Sequence, residues 1–112
     1  MTGCSAGDVV LVNFVFSDER GVKHRPALVL STERYHQGRQ EAIVAAITSN
    51  VNRLLVGDYR LRDWREAGLF YPSVVTGILR TIKQDMINRK LRVVATTDVR
   101  AMRRKLHEIL EL

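Results

Sequence analysis

The chain lacks most of the features that localise a protein to a membrane or stabilise it by cross-links. It has 112 residues, a single cysteine, Cys4, and no apolar run near the roughly 18 residues that a membrane span needs. One cysteine forms no internal disulfide, which favours a reducing compartment, and the first residues do not resemble a signal peptide. We therefore expect a cytoplasmic protein that does not enter a membrane.

Motifs for metals and cofactors are also absent from the sequence. His36 and His107 have no metal-ligand spacing with Cys4 or with carboxylates, and there is no glycine-rich phosphate loop. Cys4 lies in a short polar N-terminal segment, which argues against a role as a catalytic thiol. The sequence thus predicts neither a metal site nor a cofactor.

Composition and charge indicate one globular domain with a polar partner. A hydrophobic content of 46% over this length suits a single domain, which we place at residues 1–112. The formal charge is +6, and residues 1–50 are neutral, so residues 51–112 carry the whole excess. A basic half suggests a polyanion or an acidic protein as partner, whereas the arginines near the C-terminus are also explained by a solvated helix face.

Three apolar segments in the first half of the chain predict β-strands. They span residues 8–16, 24–31 and 42–49, and are separated by a hairpin loop over 17–23 and a polar connection over 32–41. The first segment is apolar on both faces, which is typical of a strand that is buried on both sides.

The second half predicts further short elements and a terminal helix. We expect a helix over residues 61–67 closed by Gly68, an apolar strand from Val74 bent at Gly77, and a strand near 91–95. Thr97 is expected to cap a final helix. The apolar face of that helix comprises Val99, Met102, Leu106, Ile109 and Leu110. The whole pattern predicts a compact, bent antiparallel sheet or small barrel covered by a C-terminal helix.

The second and third strands bring an arginine and a threonine to one place. If residues 32–41 close a symmetric hairpin, Arg25 lies opposite Thr48, and residues 25, 27, 29 and 31 share a face with 42, 44, 46 and 48. A slip of one residue would separate the pair, so the register is a hypothesis. Pro26 restricts its strand to an edge or first-residue position and holds Arg25 extended.

Three sequence segments, taken in order, resemble the MazF/PemK family of bacterial toxins. They are Gly-Asp-Val-Val-Leu-Val at 7–12, Lys-His-Arg-Pro-Ala-Leu-Val-Leu-Ser at 23–31 and Ala-Ala-Ile-Thr-Ser-Asn at 45–50. The resemblance implies a mainly β fold with α, an SH3-like antiparallel β-barrel with a short middle helix and a C-terminal amphipathic helix. It also implies a homodimer that cuts single-stranded RNA without the ribosome and is inhibited by a cognate antitoxin.

The same resemblance assigns roles to individual residues. Its catalytic arginine and threonine correspond to Arg25 and Thr48. RNA brings its own nucleophile, the ribose 2′-hydroxyl, and a guanidinium stabilises charge on the phosphorane, so this pair suits metal-independent cleavage of RNA, with mRNA as the expected substrate. The expected RNA-binding residues are Lys23, His24, Phe14, Phe16, Ser31, Ser49, Asn50 and Arg80. Histidine is a residue type suited to proton transfer, but His24, as a strand neighbour of Arg25, points to the other face.

Two other functions remain open at the level of sequence. The chain could be a noncatalytic nucleic-acid- or protein-binding module, or a topoisomerase-directed toxin like the CcdB relatives of the same fold. An enzyme needs Arg25 and Thr48 on one face beside a groove, whereas a binding protein does not. Homodimerisation is also consistent with apolar segments such as Val74-Val75, if these are in excess of what the core needs.

Overall fold

The computed structural model describes residues 3–15 and 22–112. Six strands and two helices follow one another along this part of the chain. They are β1 (Asp8–Val15), β2 (Val22–Val29), α1 (Glu33–Gln37), β3 (Glu41–Thr48), β4 (Tyr59–Arg60), β5 (Val74–Lys83), β6 (Ile87–Val93) and α2 (Thr96–Leu110). A single 3-10 turn, Gln84–Met86, links β5 to β6.

The six strands form one antiparallel sheet in the order β4-β5-β3-β2-β1-β6. The predicted strands over 8–16, 24–31 and 42–49 correspond to β1, β2 and β3, and the mainly β fold with a C-terminal helix is confirmed. Among the described residues, β4 and β6 are the two edge strands and do not pair with each other. The barrel is therefore open between β4 and β6. No helix in the described ranges is long and apolar enough to span a membrane.

Apolar side chains cover both faces of the sheet, as the two-sided pattern of β1 predicts. One cluster, which includes Val9, lies between the sheet, the segment before β5 and α2; its members are Val9, Leu28, Ala45, Ile47, Leu61, Ala67, Val75, Val94 and Met102. The second cluster, which includes Val10, lies on the other face and contains Cys4, Val10, Val12, Ala27, Val29, Val44 and Ile82. Burial on both faces is why alternate polar residues are missing from β1.

The short middle helix lies earlier in the chain than predicted. Residues 61–67 form only a turn, in which the N–H of Ala67 donates to the carbonyl of Asp63, although Gly68 does adopt the expected left-handed conformation at φ +83°. The helix is instead α1, inside the polar connection 32–41. Thr32 caps it by accepting a hydrogen bond from the Tyr35 N–H, so a capping threonine was the missed signal.

The start of α2 also differs from the prediction. Thr97 lies within the helix, and the N-cap residue is Ala95, which offers no capping side chain. Leu110, predicted on the apolar face, is about half exposed because it lies at the C-terminal end of the helix, beyond the sheet. The buried residues of α2 are Asp98 and Met102.

The predicted bend at Gly77 is a bulge within a continuous β5. Ala45 pairs with Leu79 and Ile47 pairs with Val75, so three residues of β5 oppose one residue of β3. Side chains satisfy the displaced backbone: Asp58 accepts from the Gly77 N–H at 2.8 Å. Gly77 also lies against the backbone of Gly57, where an added Cβ would make ordinary van der Waals contact at 3.5 Å.

Candidate active site

The register of β2 against β3 is the symmetric one that was predicted, although the ladder stops before it reaches Arg25 and Thr48. Ala27 pairs with Ala46 and Val29 with Val44, in the frame of a symmetric hairpin. The β2–β3 ladder ends at Ala27, so the next residue towards the N-terminus, Pro26, has no partner on β3 and needs no N–H there. Beyond this point β2 pairs with β1 alone, and the ends of β2 and β3 separate.

A cavity of about 280 Å³ lies where the two strands separate, and we call it the rim cavity. Its lining combines the middle of β1, the middle of β2 and the end of β3 with the segment before β5 and with β6. The lining residues are Leu11, Arg25, Pro26, Ile47, Thr48, Ser49, Gly68, Leu69, Phe70, Tyr71, Ser73, Arg89 and Leu91. Its floor is apolar, and its charged groups are the guanidinium groups of Arg25 and Arg89, both of which are exposed.

The hydroxyl of Thr48 is oriented by the turn that follows β3. Thr48 Oγ1 accepts a hydrogen bond from the Asn50 N–H at 3.1 Å, and Asn50 Oδ1 accepts from the Asn52 N–H at 3.2 Å. One acceptor site of Thr48 is therefore occupied, and its O–H proton remains for donation to a ligand. In this geometry Thr48 serves as a hydrogen-bond donor more readily than as a base.

The opposite wall of the rim cavity is a short segment with a fixed backbone. The N–H of Leu69 donates to the carbonyl of Trp64 at 3.2 Å, and Ser73 Oγ donates to the carbonyl of Tyr71 at 2.7 Å. Gly68 packs against β6, where an added Cβ would meet Leu91 at 3.2 Å. The residues between these anchors, Phe70 and Tyr71, are 86% and 67% exposed.

Comparison with known proteins identifies the family. Residues 5–110 match the model of the PemK-like, MazF-like toxins of type II toxin–antitoxin systems. The chain belongs to this family. Among curated proteins, no sequence match is found.

Solved structures of toxins share the fold over nearly their whole length. An endoribonuclease in complex with its cognate antitoxin, from a mycobacterial species, superimposes with a TM-score of 0.78 at 14% identity, over 98% of this toxin and 97% of that chain. A MazE–MazF structure from Deinococcus radiodurans gives 0.79 at 22% identity, covering 97% of both chains. The Mycobacterium tuberculosis toxin MazF-mt6 gives 0.76 at 24% identity, over 94% and 97%.

The structure brings together only part of the set of residues predicted to bind RNA. Ser49 lines the rim cavity with Arg25 and Thr48, and Asn50 supplies the N–H that orients Thr48. Lys23, His24 and Arg80 are exposed on β2 and β5, but they do not line the cavity in the described part of the toxin.

The two phenylalanines predicted to stack on bases lie at the edge of the described structure. The backbone of Phe14 belongs to β1 and pairs with Lys23. Phe16 and most of the predicted hairpin loop, residues 16–21, lie outside the described residues. Their contribution to RNA binding stays a prediction.

Ser31 lies at the far end of β2, away from the rim cavity. Its Oγ accepts from the Ile43 N–H at 2.9 Å and donates to His36 Nε2 at 2.6 Å. The Cys4 carbonyl, which can only accept, accepts a hydrogen bond from His36 Nδ1–H at 3.0 Å, which in a neutral ring leaves Nε2 as the acceptor. Ser31 is thus a buried link between β2, β3 and α1, which is the ordinary role of a serine after a strand.

A buried glutamine completes this end of the toxin. Gln84 Nε2 donates to the carbonyls of His36, Arg39 and Glu41 at 2.9–3.1 Å. An amide nitrogen carries two hydrogens, so at least one of them is shared between two carbonyls. Ser31, His36, Ile43 and Gln84 together form what we call the closed end of the β2–β3 pair.

The lone cysteine, Cys4, is buried in the core. Burial, and after it the Asp8 carboxylate, raise the pKa of the Cys4 thiol, so the reactive thiolate is disfavoured. Asp8 itself is paired with Lys90 at 3.4 Å. Residues 3–15 and 22–112 contain no group of three or more His, Cys, Asp or Glu side chains placed to hold a metal ion.

A buried carboxylate attaches the wall of the rim cavity to α2. Asp98 is fully buried and accepts hydrogen bonds from the Tyr59 hydroxyl at 2.5 Å and from the N–H groups of Arg62 and Asp63 at 3.2 and 3.1 Å. Burial and the hydrogen bond to Asp98 raise the pKa of Tyr59 to about 12. Residues 61–63, which lead to the cavity wall, are held in this way.

Sequence reasoning missed three residues of the site. Phe70 and Tyr71, which come directly before Pro72, are the only two adjacent residues of the sequence that are both Phe, Tyr or Trp. Their position in a polar, turn-rich stretch was a usable signal. Arg89 carried no such signal, because nothing distinguishes it from the other basic residues of the second half until β6 is paired with β1 opposite Leu11.

Proposed function

We propose that this toxin is an endoribonuclease that cleaves single-stranded RNA, mRNA in particular, at the rim cavity without a metal ion. The observation that carries the proposal is the cavity itself, which joins Arg25 and Thr48 at the point where β2 and β3 separate. The endoribonuclease activity of the similar mycobacterial protein supports it.

The proposed reaction uses the substrate as its own nucleophile. The 2′ oxygen attacks the adjacent phosphorus, a new P–O bond forms, and the bond from phosphorus to the 5′ oxygen of the next nucleotide breaks. The 2′-hydroxyl proton passes to water and the 5′ oxygen takes up a proton, so the products are a 2′,3′-cyclic phosphate and a 5′-hydroxyl. Intramolecular placement of such groups is equivalent to a concentration of roughly 10⁵ M or more.

The cavity residues act on the charge that develops during this step. The planar guanidinium of Arg25 donates two hydrogen bonds to equatorial phosphate oxygens, and Arg89 adds a second cation on the same cavity. Thr48, already an acceptor from the Asn50 N–H, donates its O–H to a phosphate oxygen. The described lining residues include no imidazole or carboxylate, which is why water is the proposed proton acceptor.

Incubation of purified toxin with mixed RNA in excess chelator, followed by mapping of the RNA ends, tests this proposal. We expect discrete cuts with cyclic phosphate and 5′-hydroxyl ends, and no cuts with Arg25→Ala. Arg100→Ala is the matched control, because Arg100 is exposed on α2 and lies outside the described lining. Binding of RNA without cleavage would favour the noncatalytic module instead, and cleavage only after addition of a divalent ion would refute metal independence.

We also propose that a cognate antitoxin inhibits the toxin by covering the rim cavity with an acidic, largely disordered segment. The charge of +6 on residues 51–112 attracts such a segment, and Arg89 places part of that charge at the cavity. The toxin–antitoxin complexes among the similar structures support the existence of this partner. A disordered chain wraps a small protein widely, at the cost of the entropy lost on ordering.

A competition assay tests the blocking arrangement. Arg25→Ala toxin is mixed with uncleavable RNA and the cognate antitoxin, and we expect each ligand to displace the other, with weaker antitoxin binding at higher salt. Simultaneous binding of both at full affinity would show that inhibition acts elsewhere.

The proposed assembly is a homodimer, but not through Val74 and Val75. Both are fully buried in the core, so they supply no surplus surface. One exposed apolar surface lies around the Gly57–Gly77 contact, where Val56 is 79% exposed and Ile78, which follows Gly77 in β5, is also exposed. Sedimentation equilibrium at high micromolar concentration should give a dimer, and Ile78→Glu should weaken it; a monomeric wild type would contradict the proposal.

A further inference from the structure

We infer that the toxin has a second RNA subsite across the wall of the rim cavity, formed by Phe70, Tyr71, Arg60 and Arg62. The inference rests on the proposed function, since it assigns a path to RNA bound at Arg25 and Thr48. It concerns nucleotides beyond the scissile phosphate, which the rim cavity does not accommodate.

The wall carries two large aromatic side chains that face solvent on a fixed backbone. Phe70 and Tyr71 are largely exposed, so they do not serve to fill the core. The hydrogen bonds of Leu69 and Ser73 hold the chain on either side of them. Exposed aromatics on a rigid support are the usual platform for unpaired bases, because every base offers a flat face for stacking. The platform is preorganised, so little entropy is lost when a base binds.

A second cavity, of about 360 Å³, lies on the other side of this wall. It is lined by Arg60, Leu61, Arg62, Trp64 and Pro72. Pro72 follows Tyr71 directly, and the N–H of Leu61 donates to the carbonyl of Ser73 at 3.0 Å, so the wall and the second cavity are joined. A chain that leaves the rim cavity over Tyr71 therefore enters the cavity with the two arginines.

The second cavity is positively charged, so it attracts a phosphate group more strongly than a protein segment that has no acidic residues. Arg60 and Arg62 are exposed, and within residues 3–15 and 22–112 neither forms an ion pair. Asp63 and Glu66 lie in the same segment but do not line the cavity. Aromatic platforms alternating with guanidinium groups are the pattern that binds single-stranded nucleic acid, with stacking on bases and charge on phosphates.

Binding of fluorescent, fully 2′-O-methylated RNA tests the subsite, because this RNA lacks the nucleophile and is not cleaved. We expect the double variant Phe70→Ala/Tyr71→Ala to lose at least tenfold in affinity. Arg60→Gln/Arg62→Gln should also weaken binding and reduce the slope of log affinity against log salt by about 0.7 for each phosphate that the variant no longer neutralises. Both pairs are exposed, and Arg62→Gln keeps the backbone N–H that donates to Asp98, so the fold should persist.

A spectroscopic readout and a matched control separate stacking from a general loss of fold. With 2-aminopurine placed at each RNA position in turn, wild type should quench fluorescence at a position beside the bound phosphate, and Phe70→Ala/Tyr71→Ala should abolish this quenching. Val93→Ala is the control, because Val93 is an exposed apolar residue of β6 that lines neither cavity in the described structure, and it should bind like wild type.

Two results would overturn the inference. One is wild-type RNA affinity and quenching in the aromatic double variant. The other concerns polyglutamate, used as a probe for acidic proteins. If the double variants bound RNA like wild type but lost binding to polyglutamate, the wall would be a docking surface for an acidic protein. Because the RNA is uncleavable, a failure of the proposed cleavage reaction does not alter these readouts.

Discussion

The two ends of the β2–β3 pair treat their polar groups in opposite ways. At the closed end, Ser31, His36 and Gln84 are buried and their hydrogen-bonding groups are directed at protein partners. At the rim cavity, Arg25 and Arg89 are exposed, and the hydroxyl of Thr48 has a proton left to donate.

This difference distinguishes polar residues that stabilise the fold from polar residues that are available to a ligand. Buried polar groups cost free energy unless they are paired, and the closed end pairs the Ser31 hydroxyl, both ring nitrogens of His36 and the amide nitrogen of Gln84, so removing one member is expensive. An exposed guanidinium contributes little to stability, so its presence on an apolar cavity requires another explanation, such as binding an anion. Substitutions at the two ends should therefore affect different measurements.

The largest effect is expected at Arg25, on the proposed cleavage rate alone. Arg25→Ala should reduce the rate by about 100- to 1,000-fold, the range seen when a single charge-stabilising donor is removed. Arg25→Lys should recover little, because lysine keeps the charge but not the planar fork. The free energy of unfolding, measured with urea, should change by less than about 0.5 kcal/mol. Near-wild-type cleavage by Arg25→Lys would exclude the bidentate contact.

The next largest effect is expected at Gln84, on stability alone. Gln84→Glu removes the amide donors and directs an oxygen at the carbonyls of His36, Arg39 and Glu41. We expect a loss of about 2–3 kcal/mol in the free energy of unfolding, with Gln84→Ala somewhat milder. Cleavage per folded molecule should be unchanged. A loss of activity without a loss of stability would mean that the closed end contributes to the site.

The two ends also differ in how far the sequence predicted them. The register of β2 against β3 followed from hairpin symmetry, so the placement of Arg25 and Thr48 towards the same end of the strand pair was predictable. Pro26 was expected only at an edge or first-residue position, and it lies just beyond the last residue of β2 that pairs with β3. Ser31 was misplaced because a serine after a strand has the same local sequence whether it faces a ligand or a buried histidine. The partner, His36, comes from α1, a helix too short to leave a clear periodicity.

The contacts that hold the cavity wall could not be predicted from the sequence, and the reason is different. Asp98 was an unremarked acidic residue in the first turn of a predicted helix, where carboxylates are common. Its role depends on Tyr59 and on residues 62–63, which lie more than thirty positions earlier in the chain. Such long-range pairing is fixed by the tertiary fold, which a single sequence does not reveal.

A smaller effect is expected at Thr48, where both measurements should respond. Thr48→Val removes the hydroxyl that accepts from the Asn50 N–H and that donates to the phosphate in the proposed reaction. We expect about a 10- to 100-fold slower cleavage and a loss of about 1 kcal/mol in unfolding free energy. Thr48→Ser keeps the hydroxyl and should retain most of both. Full activity in Thr48→Val would remove this residue from the mechanism.

The smallest effect is expected at Tyr59, and it depends on pH. The pKa of Tyr59 is raised to about 12 in the folded toxin, against 10 for the free side chain. The folded state therefore holds the phenolic proton over a pH range in which the unfolded state has lost it, so stability is fully present below pH 10 and declines as pH rises towards 12.

Tyr59→Phe removes the bond to Asp98 and should cost about 1 kcal/mol at pH 7. Because phenylalanine does not titrate, the difference in unfolding free energy between wild type and Tyr59→Phe should shrink between pH 10 and pH 12, as measured by urea unfolding at each pH. Contributions that are common to both proteins cancel in this difference. A difference that stays constant over that range would mean that the hydroxyl of Tyr59 is not held by Asp98, and that the cavity wall is attached to α2 by the backbone bonds alone.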